Sequence, residues 1–244
     1  MGEIVAFLSG KGGTGKTSVC AGVATALARE GLRVLCIDCD VGLRNLDIAL
    51  GLADTASLSF MDICKGDYIF EQINPHPRFP TLWFLTAPMN VTADAIDFEA
   101  FDAMLQKAQD KYDFILLDSA AGVESAFRLT AEHADRILVV TGAHPAAVRD
   151  ASRVGQLLDL MGRTNVRLIV NRVDPKLVSA IDCTVDDIMD DAGLPLMGIV
   201  PDDVSVTLAA ARGVPLLLYT RRGAAVACKR IAQRLRGIPT TVEL

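Results

Sequence analysis

The stretch Ile4-Val5-Ala6-Phe7-Leu8-Ser9-Gly10-Lys11-Gly12-Gly13-Thr14-Gly15-Lys16-Thr17-Ser18 decides the fold. An apolar, partly β-branched run passes into a glycine-rich loop of the form G-x-x-x-x-G-K-T, and a helical pattern starts at Lys16. Glycines let successive backbone N–H groups turn inward as an anion nest. The N-terminus of the following helix adds the positive end of its dipole. The loop therefore predicts a seat for the phosphates of a nucleoside triphosphate, formed by Gly10, Lys11, Gly12, Gly13, Thr14, Gly15, Lys16, Thr17 and Ser18. Lys16 is expected to reach the β- and γ-phosphates, and the Thr17 hydroxyl to bind Mg²⁺.

Working outward, strand-like runs recur at residues 4–8, 33–38, 82–86, 114–118, 137–141, 167–170 and 196–200. Helical patterns fall at 16–30, 98–111, 124–133, 146–161, 185–192, 203–212 and 224–235. Residues 75–80 read as a proline-broken stretch, and 216–219 as a short edge strand. Runs such as Ile115-Leu116-Leu117 are apolar throughout, as in strands buried on both faces. The alternation predicts a doubly wound α/β fold: a mostly parallel sheet of about seven or eight strands with helices on both faces. No linker or repeat interrupts it, so 1–244 reads as a single domain. Ligands in such sheets lie beyond the carboxyl ends of the strands.

Composition sets bounds. At 244 residues the chain can bury a large core. A net charge of −6 implies no global attraction to nucleic acid, which leaves only a local basic patch for that role. No apolar run is long enough to span a bilayer, and Met1-Gly2-Glu3-Ile4-Val5 carries neither a signal-peptide n-region nor a myristoylation pattern. A cytoplasmic location is expected, with peripheral attachment at the inner face of the cell membrane as a variant. Six scattered cysteines then read as reduced thiols. Cys36 and Cys39 form a C-x-x-C, but within a strand an odd spacing points them to opposite faces, against a metal or redox pair.

Carboxylates stand at two further strand ends. Asp38 and Asp40 share a face by the period-2 rule, and such a pair suits a metal and an attacking water. Phe114-Ile115-Leu116-Leu117-Asp118 is a Walker B-like run in which Asp118 would hold Mg²⁺. Base recognition stays open at Asn171-Arg172-Val173-Asp174, which has the look of the N-K-x-D guanine reader. The plainer reading of Asn171 is a turn cap. His76, His133 and His144 have no metal-like partners.

Lys11-Gly12-Gly13-Thr14-Gly15-Lys16-Thr17 resembles the deviant Walker A of the family that includes ParA, MinD, nitrogenase iron protein and several amide synthetases. Asp40-Val41-Gly42-Leu43-Arg44-Asn45-Leu46-Asp47, Leu50-Gly51-Leu52, Asp118 through Glu124, Val148-Arg149-Asp150 and Gly198-Ile199-Val200-Pro201-Asp202-Asp203 are similar to the MinD-like branch. The resemblance covers residues 3 to about 235. It implies an ATP-dependent homodimer in which Lys11 reaches the partner's phosphates, Asp40 orients the attacking water, Asp38 supports Mg²⁺ through its waters, and Gly122 in a switch loop senses the γ-phosphate. It places the adenine against Asn171, Arg172, Pro201 and Asp202, which favours ATP over GTP. It also implies partners that inhibit division or stimulate hydrolysis, with Asp150 at their surface.

This chain departs from the family pattern in two places. Ala120 stands where proline is usual, and Arg234-Leu235-Arg236-Gly237-Ile238-Pro239-Thr240-Thr241-Val242-Glu243-Leu244 is not expected to form an amphipathic membrane helix. Arg221, Arg222, Lys229, Arg230, Arg234 and Arg236 make the last helix basic. That reads as a solvated face, a DNA surface or an attraction to anionic lipid. The expectation is a MinD-like switch ATPase in spatial regulation of cell division. The rivals are a ParA-like DNA-partitioning or flagellar-number ATPase, and an amide synthetase. A cluster-carrying iron protein would need mid-chain cysteines, and none lies between Cys64 and Cys183.

Overall fold

A computed structural model describes residues 1–41, 44–89, 91–92, 95–123, 125–176 and 184–242. Gly42, Leu43, Glu124 and Cys183 lie outside the described residues.

Eight strands form one sheet: β1 (Glu3–Leu8), β2 (Val34–Cys39), β3 (Pro75–His76), β4 (Phe79–Leu85), β5 (Phe114–Ser119), β6 (Arg136–Gly142), β7 (Val166–Val173) and β8 (Leu196–Pro201). Their order is β3-β4-β2-β5-β1-β6-β7-β8. Every pairing is parallel except β3 with β4. The described helices are α1 (Lys16–Arg29), α2 (Leu46–Leu50), α3 (Phe60–Cys64), α4 (Phe98–Lys111), α5 (Ser125–His133), α6 (Pro145–Leu160), α7 (Val185–Ala192), α8 (Val204–Ala211), α9 (Leu216–Tyr219) and α10 (Ala224–Leu235). A 3₁₀ turn spans Phe70–Gln72.

Two apolar layers flank the sheet. One holds α1, α2 and α8 to α10 against Val5, Phe7, Val34, Cys36, Phe114 and Leu116. The other holds α3 to α7 against Ile4, Ala6, Leu35, Ile37, Cys39, Ile115 and Leu117. Adjacent strand residues alternate between the layers, as the pleat requires. The handedness of parallel crossovers explains the sorting. The β1-to-β2 connection and those from β4 through β5, β6 and β7 to β8 step in opposite directions along the sheet, so a constant hand puts α1 on one face and α4 to α7 on the other. Cys36 and Cys39 fall in different layers, as their spacing predicts, and both are buried free thiols.

Two sequence expectations need correction. Residues 216–219 are helix α9, not an edge strand. Pro215 precedes it, and Leu216 and Leu217 pack on the α1 layer. The eighth strand lies instead in the proline-broken stretch. There Pro75 and His76 turn back antiparallel on β4, which itself begins at Phe79. Pro75 lacks an N–H but sits on an edge strand, where that loss is tolerated. His76 is buried; its Nε2 lies 2.8 Å from the Leu50 carbonyl, and the Arg78 N–H donates to Nδ1 at 3.0 Å.

Candidate active site

β1 lies between β5 on one side and β6 on the other, which is where a crevice opens at the carboxyl edge of a doubly wound sheet. The glycine-rich loop leaves β1 at this point. Gly13 and Gly15 have φ of +85° and +82°, and a Cβ on Gly12 or Gly13 would meet nothing within 4 Å. Gly15 is more constrained, because a Cβ there would lie 2.2 Å from Asn171 Nδ2. That amide donates to the Thr14 carbonyl at 2.7 Å, so β7 braces the loop. Asn171 thus acts on the loop backbone through its side-chain amide.

Even-numbered residues of β2 and β5 face α1, and this carries Asp38 and Asp118 to the same side as the loop. The two are direct partners across β2–β5. Adjacent carboxylates repel, and Lys16 answers the repulsion: its ammonium donates to Asp118 Oδ1 at 2.6 Å, with both groups buried. Burial opposes the Lys16 charge, but Asp118 outweighs it and holds the ammonium above its ordinary range. Burial, reinforced by the Asp118 charge, pushes Asp38 up to about 7. Asp38 nonetheless accepts two backbone N–H groups, from Asp40 at 2.9 Å and Leu46 at 3.1 Å. It ties down the loop after β2, so its support of a metal would be indirect. Asp40 is half-buried at the loop's start, and burial raises its pKa while Lys16 opposes the rise.

At the loop, two buried polar atoms have no hydrogen-bond partner among the described residues: Asp118 Oδ2 and Thr14 Oγ1. An unpaired buried carboxylate oxygen is costly. Here it stands in the strand pairing next to Asp38, and the neighbouring Lys16 ammonium lies 3.5 Å from the Thr17 hydroxyl. Hard oxygen donors of this kind suit Mg²⁺, which takes one or two protein ligands and completes its shell with phosphate and water. That accords with the lack, among the described residues, of any cluster of three or more His, Cys, Asp or Glu placed to hold a metal. The residues present fit the metal.

Beside the loop lies a cavity of about 390 Å³ whose lining includes Ser18, Asn171, Arg172, Pro201, Asp202 and Thr207. All four residues expected to frame the base line it. Arg172 adopts φ of +56°, uncommon for a side chain of its size. Its guanidinium lies 3.5 Å from Asp202 and 3.5 Å from the Gly13 carbonyl, and so joins the end of β7 to the end of β8 and to the loop. Lys11 is exposed. The Gly122 N–H donates to the Ser9 carbonyl at 3.0 Å and joins the loop after β5 to the start of the glycine-rich loop. Asp150 backs Gly10 closely: a Cβ on Gly10 would lie 2.8 Å from the Asp150 carbonyl.

The sequence reading passed over two contributors. Asp203 caps α8 through Ser205 and receives the first N–H of α10 from Ala224, so one carboxylate fixes two walls of the cavity. Thr86, after β4, accepts a hydrogen bond from Arg44 at 2.8 Å. Its place beside the site depends on strand order, which leaves no local signal.

The fold and this loop define a P-loop nucleotide hydrolase. The family model described as the CobQ/CobB/MinD/ParA nucleotide-binding domain matches residues 5–216. The septum site-determining protein MinD of Synechocystis is 37% identical over 240 residues, which is 97% of this chain and 90% of that protein. The MinC:MinD cell division complex of Aquifex aeolicus gives a TM-score of 0.91 at 34% identity, covering 99% of this chain and 98% of the other. MinD from Pyrococcus horikoshii complexed with Mg-ADP gives 0.83 at 27% identity, covering 96% of each. The chain belongs to the CobQ/CobB/MinD/ParA family. Within it the chain is a MinD-like cell-division ATPase that works with ATP and Mg²⁺.

Proposed function

We propose that this ATPase is a switch whose output is ATP-dependent dimerisation and partner engagement. The pairing of Asp38 with Asp118, bridged to the loop by Lys16, carries the reading. Lys16 sits where it can leave Asp118 for the β- and γ-phosphates as these enter the loop. Thr17 and Asp118 would hold Mg²⁺, which supplies charge neutralisation at the phosphates. Asp40 orients the attacking water; in phosphoryl transfer, positioning and electrostatics supply most of the catalysis. Asn171, Arg172, Pro201 and Asp202 frame the adenine, with Asn171 acting through the loop it braces. Lys11, exposed at the mouth, reaches the phosphates held by a second copy.

The partners are proteins of the kind named in the Aquifex aeolicus complex, engaged on the surface around Asp150. Among the described residues no helix is long and apolar enough to cross a membrane, so attachment to a bilayer would be peripheral. Arg29, Arg221 and Lys229 line a basic cleft of about 430 Å³ beside α10. That cleft favours a second reading, in which the dimer works on an anionic surface. Co-sedimentation with anionic liposomes and with plasmid DNA separates the two surfaces. The test of the primary reading is Asp40→Ala: ATP binding is retained while turnover drops. A wild-type rate in this variant would remove Asp40 from the role.

A further inference from the structure

The loop that carries Asp40 leaves β2 and enters α2 at Leu46. Asp38 holds both of its ends through the Asp40 and Leu46 N–H groups. Those bonds fix where the loop starts and stops. Arg44 supplies the lateral restraint. It is half-buried, its N–H approaches the Asp40 carbonyl at 3.4 Å, and its Nε–H donates to Thr86 Oγ1 at 2.8 Å.

Two observations mark this contact as more than a surface hydrogen bond. Arg44 has φ of +46°, a left-handed conformation that disfavours a long side chain. Such strain persists only where the surroundings over-determine it. Thr86, for its part, is fixed. It is 3% exposed and bridges to Ser59; its N–H donates to the Leu58 carbonyl, and its own carbonyl accepts from Phe60. The anchor is therefore tied to the wall that starts α3.

We propose that Arg44 and Thr86 are positioning residues for hydrolysis: their hydrogen bond sets the reach of Asp40 toward the attacking water. This rests on the reading of Asp40 as the water-orienting carboxylate. Neither residue belongs to the glycine-rich loop or lines the base cavity, so binding should be spared and the chemical step slowed. A small misplacement of an orienting group is enough for a large loss of rate.

The experiment measures kcat and KM for ATP in the full chain and in Thr86→Val, Thr86→Ser, Arg44→Gly, the Arg44→Gly/Thr86→Val double variant and Asp40→Ala. Thr86→Val keeps the shape of the side chain and removes the acceptor. Arg44→Gly accepts the positive φ without strain, so it removes the anchor and leaves the backbone free to keep its course. The expected result is a fall in kcat on the order of tenfold for each, with KM unchanged, and recovery in Thr86→Ser. The double variant should be no slower than either single one, since both break the same bond. Additive losses, a change confined to KM, or wild-type kcat in Thr86→Val would overturn the proposal. If Thr86→Val fails to fold, Arg44→Gly and its kcat decide alone. Should Asp40→Ala keep the wild-type rate, the reading of Asp40 has failed. Should Asp40→Ala lose the rate while Arg44→Gly and Thr86→Val keep it, only the anchor has failed.

Discussion

Lys16 is buried against Asp118, and its removal bears on both stability and binding. In metal-free buffer, Lys16→Met leaves the Asp118 carboxyl buried without its ion-pair partner, next to Asp38. Breaking a buried pair on one side costs about 3 kcal/mol or more, so the urea midpoint should drop well below that of the parent. Nucleotide binding should be lost as well. An unchanged midpoint would mean the 2.6 Å bond contributes nothing to stability. Gly15→Ala tests the neighbouring constraint. It adds a methyl 2.2 Å from Asn171 Nδ2 at a φ of +82°, and binding of a fluorescent ATP analogue should fail. Adding Asn171→Ala relieves the clash but leaves the strained φ and unties Thr14, so recovery should be partial at most. The chemistry at Lys16 was legible because the loop encodes it locally. The Asp38–Asp118 pairing and the Asn171 brace were not, because each joins residues far apart in sequence through a strand order that no local pattern states.

Among the elements, the hairpin of β3 and β4 carries a titration. Nδ1 of His76 accepts from Arg78, so the neutral ring donates through Nε2 to the Leu50 carbonyl. Burial lowers its pKa from 6.5, outweighing the hydrogen bond to Leu50. The unfolded chain then takes up the proton more readily than the folded one, so this contribution is present above pH 6.5 and fades as pH falls through the depressed value. The wild-type protein should lose more stability between pH 7.5 and pH 5.5 than His76→Gln does, as read from urea midpoints. Equal losses would clear His76 of any part in acid sensitivity. The same region shows where sequence patterns run short. Two residues of strand between prolines carry no period, and the four apolar residues of α9 suit a strand as well as a helix. The alternation was legible where strands are apolar runs, as in β1, β2 and β5 to β8, whereas the five-residue helices α2 and α3 are too short to show a period.

In the whole molecule, the sheet order puts every proposed catalytic group at the carboxyl edge of β1, β2 and β5, with the base cavity beside them under β7 and β8. Lys11 is exposed at that edge, and its side chain makes no hydrogen bond or ion pair among the described residues. A loop lysine beside the phosphate seat, left exposed while Lys16 is buried against Asp118, fits a protein whose site is completed by a second copy. The motif made Lys11 conspicuous in the sequence; the surface that a second copy would cover depends on the packing of α6 and of the loop after β5 around it.

The most direct test is the mass in solution of Asp40→Ala with Mg²⁺ and either ATP or ADP, by light scattering, beside the same variant carrying Lys11→Ala. The account predicts twice the 26.1 kDa chain mass with ATP, the single mass with ADP, and the single mass in the Lys11→Ala background with either nucleotide. A single mass for Asp40→Ala with ATP demonstrably bound, or a dimer indifferent to Lys11, would contradict it.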